Sequence, residues 1–501
     1  MIARSLYANA GAAVGQVVVS AVLMFLLYRY LLHQLGPEKL GVWSLVLASG
    51  TLTRLADFGL GGSVIKFVAS DLGAKNPARA AQTVVMSAAA IGLFMGFICI
   101  VTYPLFYFGL KKIITDVNLQ PVALALLPWA LLSLWVAAIA QVFLGTLDAC
   151  QKGALRVAIN IASSCVQLLA CYLIVPRFGL GGLGFVQIAQ SLLTMLLALW
   201  FVIRTFKLPV SAWFKPDRQR FMESLQYGGS IQIGAIAQLL FDPTVKVLLS
   251  HFGGLSSTGY YEAANRAVLQ ARSLIVSAYQ MLVPYLAHRM GEGGFNRDQI
   301  ANSYSRAHGL ILAIIVPYFS ILFVVLPSFL TIWIGHIVPV FILFGLMCVV
   351  GWALNTFNVS SYMIYVAMGR LRWTMTSQLV IGSLCFILGI LGGYFFGGIG
   401  VVGGAMIALV TGSAIVQIRF HVETKIPFSE VLPGRYIGSV VFCLLGAGVL
   451  TYFQVQNGYK LLQSAPIAIA MIFYIAICVI MPLRDSSVQE LIKRVWFGRG
   501  T

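Results

Sequence analysis

The chain has 501 residues, 59% hydrophobic and only 10% charged, with a mean hydropathy of +0.91. A soluble globular enzyme, in which about 25% of residues are charged, is excluded, as are a disordered chain and a small disulfide scaffold. The excess of 33 Lys and Arg over 15 Asp and Glu gives +18, a balance to be read first against the positive-inside rule and only then as a sign of anionic partners.

Apolar runs of ~20 residues, continuous rather than alternating with period two, predict membrane-spanning helices and not an outer-membrane barrel. In chain order the predicted spans are 11–33, 40–62, 83–109, 121–147, 154–176, 182–203, 229–250, 262–287, 308–333, 337–367, 374–395, 399–420, 437–454 and 465–483. No cleaved signal peptide is expected: the start carries one Arg and no small-residue cleavage site. With the N-terminus inside, the inner segments hold 22 Lys and Arg and the outer ones five, so both termini are expected to face the cytoplasm. Between the sixth and seventh spans, FKPDRQRFMESLQYG is a basic amphipathic stretch, expected to lie along the headgroups. After the last span, Val488, Leu491, Ile492, Val495 and Trp496 share a helical face, and Ser487 with Glu490 fits a capping box. The eight Cys are scattered without metal-ligand spacing and are read as packing residues.

The chain repeats itself. Aligning Gly41 with Gly259 sets an offset of 218, which also pairs Gly11 with Gly229, Gly36 with Gly254, Gly73 with Gly291, Phe178–Gly179 with Phe396–Gly397, and Gly182 with Gly400. Six of the 18 Gly in residues 1–205 find Gly at this offset, in a chain with 49 Gly overall. Arg54 meets Arg272 by the same alignment, and ionisable groups inside apolar helices are rare. A repeat of six spans crosses an even number of times, so the copies share one orientation, related by an axis along the membrane normal. The expected organisation is an N-lobe at 1–205, a cytoplasmic amphipathic linker at 206–228, a C-lobe at 229–422, two further helices at 423–483 and a cytoplasmic amphipathic tail at 484–501.

Three stretches carry a family resemblance: LGPEKLGVWSLVLASGTLTRLADFGLGGSVIKFVAS (Leu35 to Ser70), GGLSSTGYYEAANR (Gly253 to Arg266) and, to a lesser degree, FLGTLDACQKGALRVAIN (Phe143 to Asn160). With these the chain resembles the multidrug/oligosaccharidyl-lipid/polysaccharide exporter superfamily, and within it the polysaccharide transporter branch. The resemblance implies an all-α polytopic fold of about 14 transmembrane helices, with two six-helix lobes in a V around a central cavity, alternating access by rocking, and no covalent chemistry. It implies an undecaprenyl-pyrophosphate-linked oligosaccharide as substrate, flipped across the bacterial inner membrane for surface polysaccharide biosynthesis, with a polymerase and export machinery as further partners. Fourteen helices also resemble the lipid II flippases, in which the last two helices form a groove for the lipid tail; 437–483 occupies that position.

Six bases fall within or at the edge of spans: Arg29, Arg54, Lys66, Lys246, Arg266 and Arg272. Asp57, Asp242 and Glu262 oppose them. Arg54 and Arg272 each lie 13 residues beyond the outer-loop Gly, roughly 20 Å down at helical rise. Arg29 and Lys246 lie near the outer ends of the first and seventh spans. Two rungs follow for a pyrophosphate, a deep one of Arg54 and Arg272 and a shallow one of Arg29 and Lys246, with Arg266 as a further substrate-binding candidate; the guanidinium fork suits phosphate oxygens. The competing readings are snorkelling for Arg29 and Arg266, and same-helix ion pairs for Arg54 with Asp57, Asp242 with Lys246, and Glu262 with Arg266. Asp242 precedes Pro243, so a kink is expected, and Asp242 and Asp57 are candidates for coupling to Na+ or H+. Three rivals complete the reading, one of them a purely structural membrane scaffold, which would not need deep Arg in both lobes. A multidrug cation antiporter of the same superfamily would favour an acidic cavity, whereas bases here outnumber acids. A membrane-embedded glycan polymerase or ligase would carry a large outer loop, whereas the longest here is about a dozen residues.

Overall fold

The computed structural model describes residues 2–53, 60–114, 116–206, 241–280, 297–368, 372–458, 465–485 and 488–489. These are helical almost throughout: α1 (Ile2–Thr53), α2 (Leu60–Gly73), α3 (Pro77–Ile113), α4 (Leu119–Ala149), α5 (Gly153–Phe206), α6 (Phe241–Gln280), α7 (Arg297–Ile334), α8 (Pro339–Phe357), α9 (Val359–Ala367), α10 (Arg372–Thr424), α11 (Gly434–Gln456) and α12 (Ala465–Leu483), with one 3-10 turn at Phe428–Val431. Among the described residues, nine helices are long and apolar enough to cross a membrane, and the protein is a multi-pass membrane protein. The amphipathic linker predicted at 206–228, apart from Phe206 at the end of α5, and most of the tail lie outside the described residues, as does the chain just before Phe241.

Four of these helices are broken by a glycine. Gly36 in α1 has φ 79 and ψ 167, and Gly254 in α6 has φ 80 and ψ 171. Gly179 in α5 has φ 56 and ψ −135, and Gly397 in α10 has φ 58 and ψ −143. Such positive φ is costly for any residue with a Cβ. The breaks form two pairs, each 218 residues apart and nearly identical in dihedrals, so the repeat read from glycine spacing is a repeat of backbone conformation. They also explain how four helices cover eight predicted spans. The full figure of fourteen crossings, which includes the spans lying partly outside the described residues, is a proposal.

Contacts divide the chain into two compact units, Met1–Glu262 and Ala263–Thr501, the division falling inside α6. In the first, α2, α3, α4 and α5 meet around Val84, Ile91, Met95, Phe143, Leu147 and Val202. The start of α3 is set by Pro77 in the first turn and by Asn76, whose Oδ1 accepts from the Arg79 amide at 3.1 Å. The same helix leaves Leu93, Phe97, Ile100 and Phe108 exposed, a stripe of large apolar side chains where a water-facing helix would carry charge. In the second unit, α11 and α12 pack on α7 around Val324, Cys443, Ala447, Leu450 and Tyr474. Apolar surface gains little from leaving lipid, so polar stitches matter here. The Ser320 hydroxyl donates to the Cys443 carbonyl at 2.9 Å, and the Gln454 amide donates to the Val324 carbonyl at 2.9 Å.

Candidate functional site

Within the first unit, the segments that follow Gly36 and Gly254 cross at very close range. A Cβ on Gly41 would overlap the Leu255 carbonyl oxygen, and one on Gly259 would overlap that of Pro37. Leu255 is the repeat mate of Pro37, and Gly259 of Gly41. Two side-chain bonds obey the same rule: Ser256 donates to Glu38 at 3.2 Å, and Ser44 to Glu262 at 3.1 Å, both across 218 residues. Residues touching their own repeat mates define a local pseudo-twofold axis through this crossing. We expect Gly41→Ala and Gly259→Ala each to destabilise the protein by about 1–3 kcal/mol, because a backbone carbonyl cannot move aside as a side-chain end does. Thermal melting of the purified variants checks this. Gly109→Ala, at a position with open space, should stay within about 0.5 kcal/mol. Equal stabilities for all three would refute the close crossing.

A buried ionic cluster lies on this crossing. Lys246 is 1% exposed and Glu262 2%. The Lys246 ammonium stands 2.7 Å from Asp242, one turn earlier in α6, and 2.8 Å from Glu262. Glu262 also accepts from the Tyr28 hydroxyl at 3.0 Å, through the oxygen that Lys246 and Ser44 leave. Three charged groups thus sum to −1 formally, and hydroxyl donors spread that charge. Asp242 keeps a third of its side chain exposed and is the member of the cluster open to exchange with solvent. By the offset of 218, Tyr28 mates with Lys246 and Ser44 with Glu262, so one side of the axis is neutral and the other ionic.

In the second unit, Arg272 is built differently. Its Nε donates to the Thr356 hydroxyl at 2.9 Å and its Nη2 to the Asn355 amide oxygen at 2.9 Å. The guanidinium lies 4.7 Å from the Trp352 ring centroid, and the Trp352 indole donates to buried Asn265 at 2.9 Å. Trp352, Asn355 and Thr356 occupy one face of α8, at spacings of three and four residues that bring them together. All these partners are neutral, so the full positive charge is held in place uncompensated by any carboxylate among the described residues, with Nη1 left over for a ligand. Neutral acceptors that fix a guanidinium while leaving its charge available suit recognition of a phosphate or pyrophosphate group.

The remaining sequence-derived candidates are distributed as follows. Arg29 is exposed, beside buried Tyr28 and Tyr30 on α1. Arg266 is half-buried on α6, one turn after Glu262. Arg54 and Asp57 lie outside the described residues. Sequence reasoning missed Tyr28 and Ser44 as partners of Glu262, although the 218 offset already paired them with Lys246 and Glu262. Nothing in the linear sequence marked Trp352, Asn355 and Thr356 as the setting of Arg272.

A family model described as polysaccharide biosynthesis protein matches residues 6–290. No curated protein matches the chain. Among solved structures, a multidrug resistance MATE family transporter of the MOP superfamily in an inward-facing conformation aligns with a TM-score of 0.71 and 13% identity, over 83% of this chain and 98% of that one. The lipid II flippase MurJ in an inward closed conformation aligns with a TM-score of 0.68 and 13% identity, over 96% of this chain and 98% of that one. A mutant of the Vibrio cholerae MATE transporter VcmN gives 0.60 and 15%, over 84% and 97%. At such identities the shared property is the fold.

Proposed function

Because the chain belongs to the polysaccharide biosynthesis protein family and has the fold of MATE transporters and MurJ, we propose that it is a flippase of the bacterial inner membrane, carrying an undecaprenyl-pyrophosphate-linked oligosaccharide by alternating access. The observation that carries this reading is Arg272, positioned by Thr356, Asn355 and Trp352 with no carboxylate to neutralise it among the described residues. A pyrophosphate exchanges its water for this guanidinium and for Arg54, while the glycan stays solvated and the polyprenyl tail stays in lipid. Arg29 and Arg266 act as transient contacts along the way. Lys246, held by two carboxylates, belongs to the coupling machinery: H+ or Na+ arriving at Asp242 weakens its hold on Lys246 in favour of Glu262, and this shifts the balance between access states. Asp57 is the second coupling candidate, in the first half. Both termini face the cytoplasm, α11 and α12 line a path for the lipid tail, and a polymerase with its export machinery takes up the product.

The test is translocation of a fluorescent lipid-linked oligosaccharide in proteoliposomes under imposed H+ or Na+ gradients. We expect flipping that depends on one of the two gradients, and a loss of that dependence in Asp242→Asn with residual downhill flipping. Absence of flipping, alongside gradient-driven efflux of cationic dyes, would replace the flippase with a multidrug antiporter. Unchanged gradient dependence in Asp242→Asn would remove Asp242 from coupling.

A further inference from the structure

The second unit buries two histidines that take no part in the reading above. His308 on α7 and His421 near the end of α10 are each 1% exposed. Both hold the connection from α10 to α11, where the 3-10 turn lies. The His421 Nδ1–H donates to the Ile426 carbonyl at 3.1 Å, and the His308 Nε2–H to the Val431 carbonyl at 2.9 Å. A carbonyl can only accept, so these bonds fix the tautomer of each neutral ring and leave one lone-pair nitrogen on each. The two leftover nitrogens differ. His308 Nδ1 is buried with no hydrogen-bond partner among the described residues, and its ring lies stacked on Tyr304 at 4.9 Å. His421 Nε2 stands 2.9 Å from the Tyr304 hydroxyl and 3.2 Å from the Gln417 side-chain nitrogen. The chain continues from there: Gln417 donates to the Tyr304 oxygen and accepts from the Ser361 hydroxyl on α9. Tyr304, Gln417 and Ser361 are all buried.

Hydroxyl and amide side chains can both donate and accept, and that property lets this chain serve either charge state of His421. With a neutral ring, Tyr304 donates to Nε2. With a charged ring, Nε2 donates to the Tyr304 oxygen. A half-turn of the Gln417 amide then brings its oxygen to the Tyr304 hydroxyl and its N–H to the Ser361 oxygen. His308 has no such provision, because a second proton on its Nδ1 would meet no acceptor among the described residues. We propose that His421 is a proton-binding site of the second unit, served by a Tyr304–Gln417–Ser361 hydrogen-bond chain that reverses when the proton arrives. Glu430 on the 3-10 turn, half-buried and held by the Ser305 hydroxyl at 2.9 Å, acts on both imidazoles and balances the added charge. Glu423, two residues on in α10, is exposed and accepts from Tyr365 of α9 at 3.1 Å. Lys425 is exposed, and Arg435 lies against Gly309, next to His308; these two charges oppose the proton. Phe428, 55% exposed, stacks on the His421 ring at 5.2 Å, which puts the proton's entry at the turn. A charged donor bonds a carbonyl more strongly than a neutral one, so the proton tightens the hold on the connection that leads to α11 and α12. Use of the site in transport rests on the flippase reading; proton binding itself does not.

The experiment is solid-state 15N NMR of the full chain in lipid bilayers, labelled at histidine and titrated from about pH 8 to about pH 4, a range that brackets the ordinary imidazole value of about 6.5. The signals are assigned with His421→Gln and His308→Gln. At the alkaline end, neutral His421 should carry its proton on Nδ1 and neutral His308 on Nε2. On acidification His421 should take up a second proton in a single step while His308 stays neutral. Gln417→Glu, which sets a carboxylate beside the ring at almost unchanged volume, should raise the His421 midpoint by about one pH unit or more, a tenfold gain in proton affinity. Gln417→Met, which removes the acceptor for the charged state, should lower it by about as much. A His421 ring that stays neutral throughout, or that titrates only as the protein unfolds, would overturn the proposal. So would protonation of His308 ahead of His421, or one common midpoint for the unmodified protein and every Gln417 variant that folds. The titration of the unmodified protein decides the matter even if neither variant folds. No readout involves translocation, so the outcome is separate from that of the flippase reading.

Discussion

Arg272→Ala is expected to slow translocation of a lipid-linked oligosaccharide in proteoliposomes by about 10–100-fold, the equivalent of about one charge-assisted hydrogen bond at about 1.5–3 kcal/mol. Folding should be largely preserved. Thr356, which loses the guanidinium, still donates to the Trp352 carbonyl at 2.6 Å, and Trp352 keeps Asn265. Arg272→Lys should recover only part of the rate, because an ammonium cannot engage Thr356, Asn355 and a phosphate at once in the planar geometry of the guanidinium. The two deep arginines are also expected to be unequal. The offset of 218 puts Leu134, Ala137 and Ala138 where Arg272 has Trp352, Asn355 and Thr356, so Arg54 inherits no polar cradle from the repeat. Arg54→Ala should therefore differ from Arg272→Ala in the size of its effect. Full-rate flipping by Arg272→Ala at normal expression would remove the anion-binding role.

The second large effect concerns Lys246 and Glu262. Breaking a buried ion pair from one side leaves an uncompensated charge at a cost of about 3–5 kcal/mol, whereas replacing both partners is much cheaper. Glu262→Gln and Lys246→Met should each lower stability substantially, with Lys246→Met the worse: it takes the ammonium from Glu262, 2% exposed, whose hydroxyl donors Tyr28 and Ser44 carry no charge, while Lys246 in Glu262→Gln still has Asp242 at 2.7 Å. The double variant should recover about 1–3 kcal/mol relative to the sum of the singles, in keeping with couplings between contacting residues. Additive losses in a melting-based double-mutant cycle would mean that the two groups do not act as a pair.

The parts of this molecule that were legible in its sequence are those set by local chemistry. Glycine at 36, 179, 254 and 397 marked the repeat by its spacing, and the structure gives all four the positive φ that this residue type adopts at least cost. The apolar runs announced helices in lipid. The cradle of Arg272 was not legible, since tryptophan, asparagine and threonine on one turn of a membrane helix are ordinary residues until an arginine from 80 or more positions away is packed onto them. Glu262 illustrates the middle case. Its nearest basic neighbour in sequence is Arg266, one turn on, yet the structure also brings Lys246 to it from beyond the Gly254 break, together with hydroxyls from α1. Only the alignment of the two halves held a hint of that.

That crossing of repeat mates has a historical implication. A contact in which each residue meets its own counterpart is what two identical subunits would form, so the present chain is well explained as two tandem copies of an ancestral homodimer's gene. In such a dimer every mutation near the dyad arises twice, and a lysine–glutamate couple there would bring a second couple into the same cramped spot. A single chain carrying both copies is free of that constraint: tyrosine and serine stand in one copy and an ammonium and a carboxylate at their counterparts in the other, a polarity that a symmetric dimer could not hold.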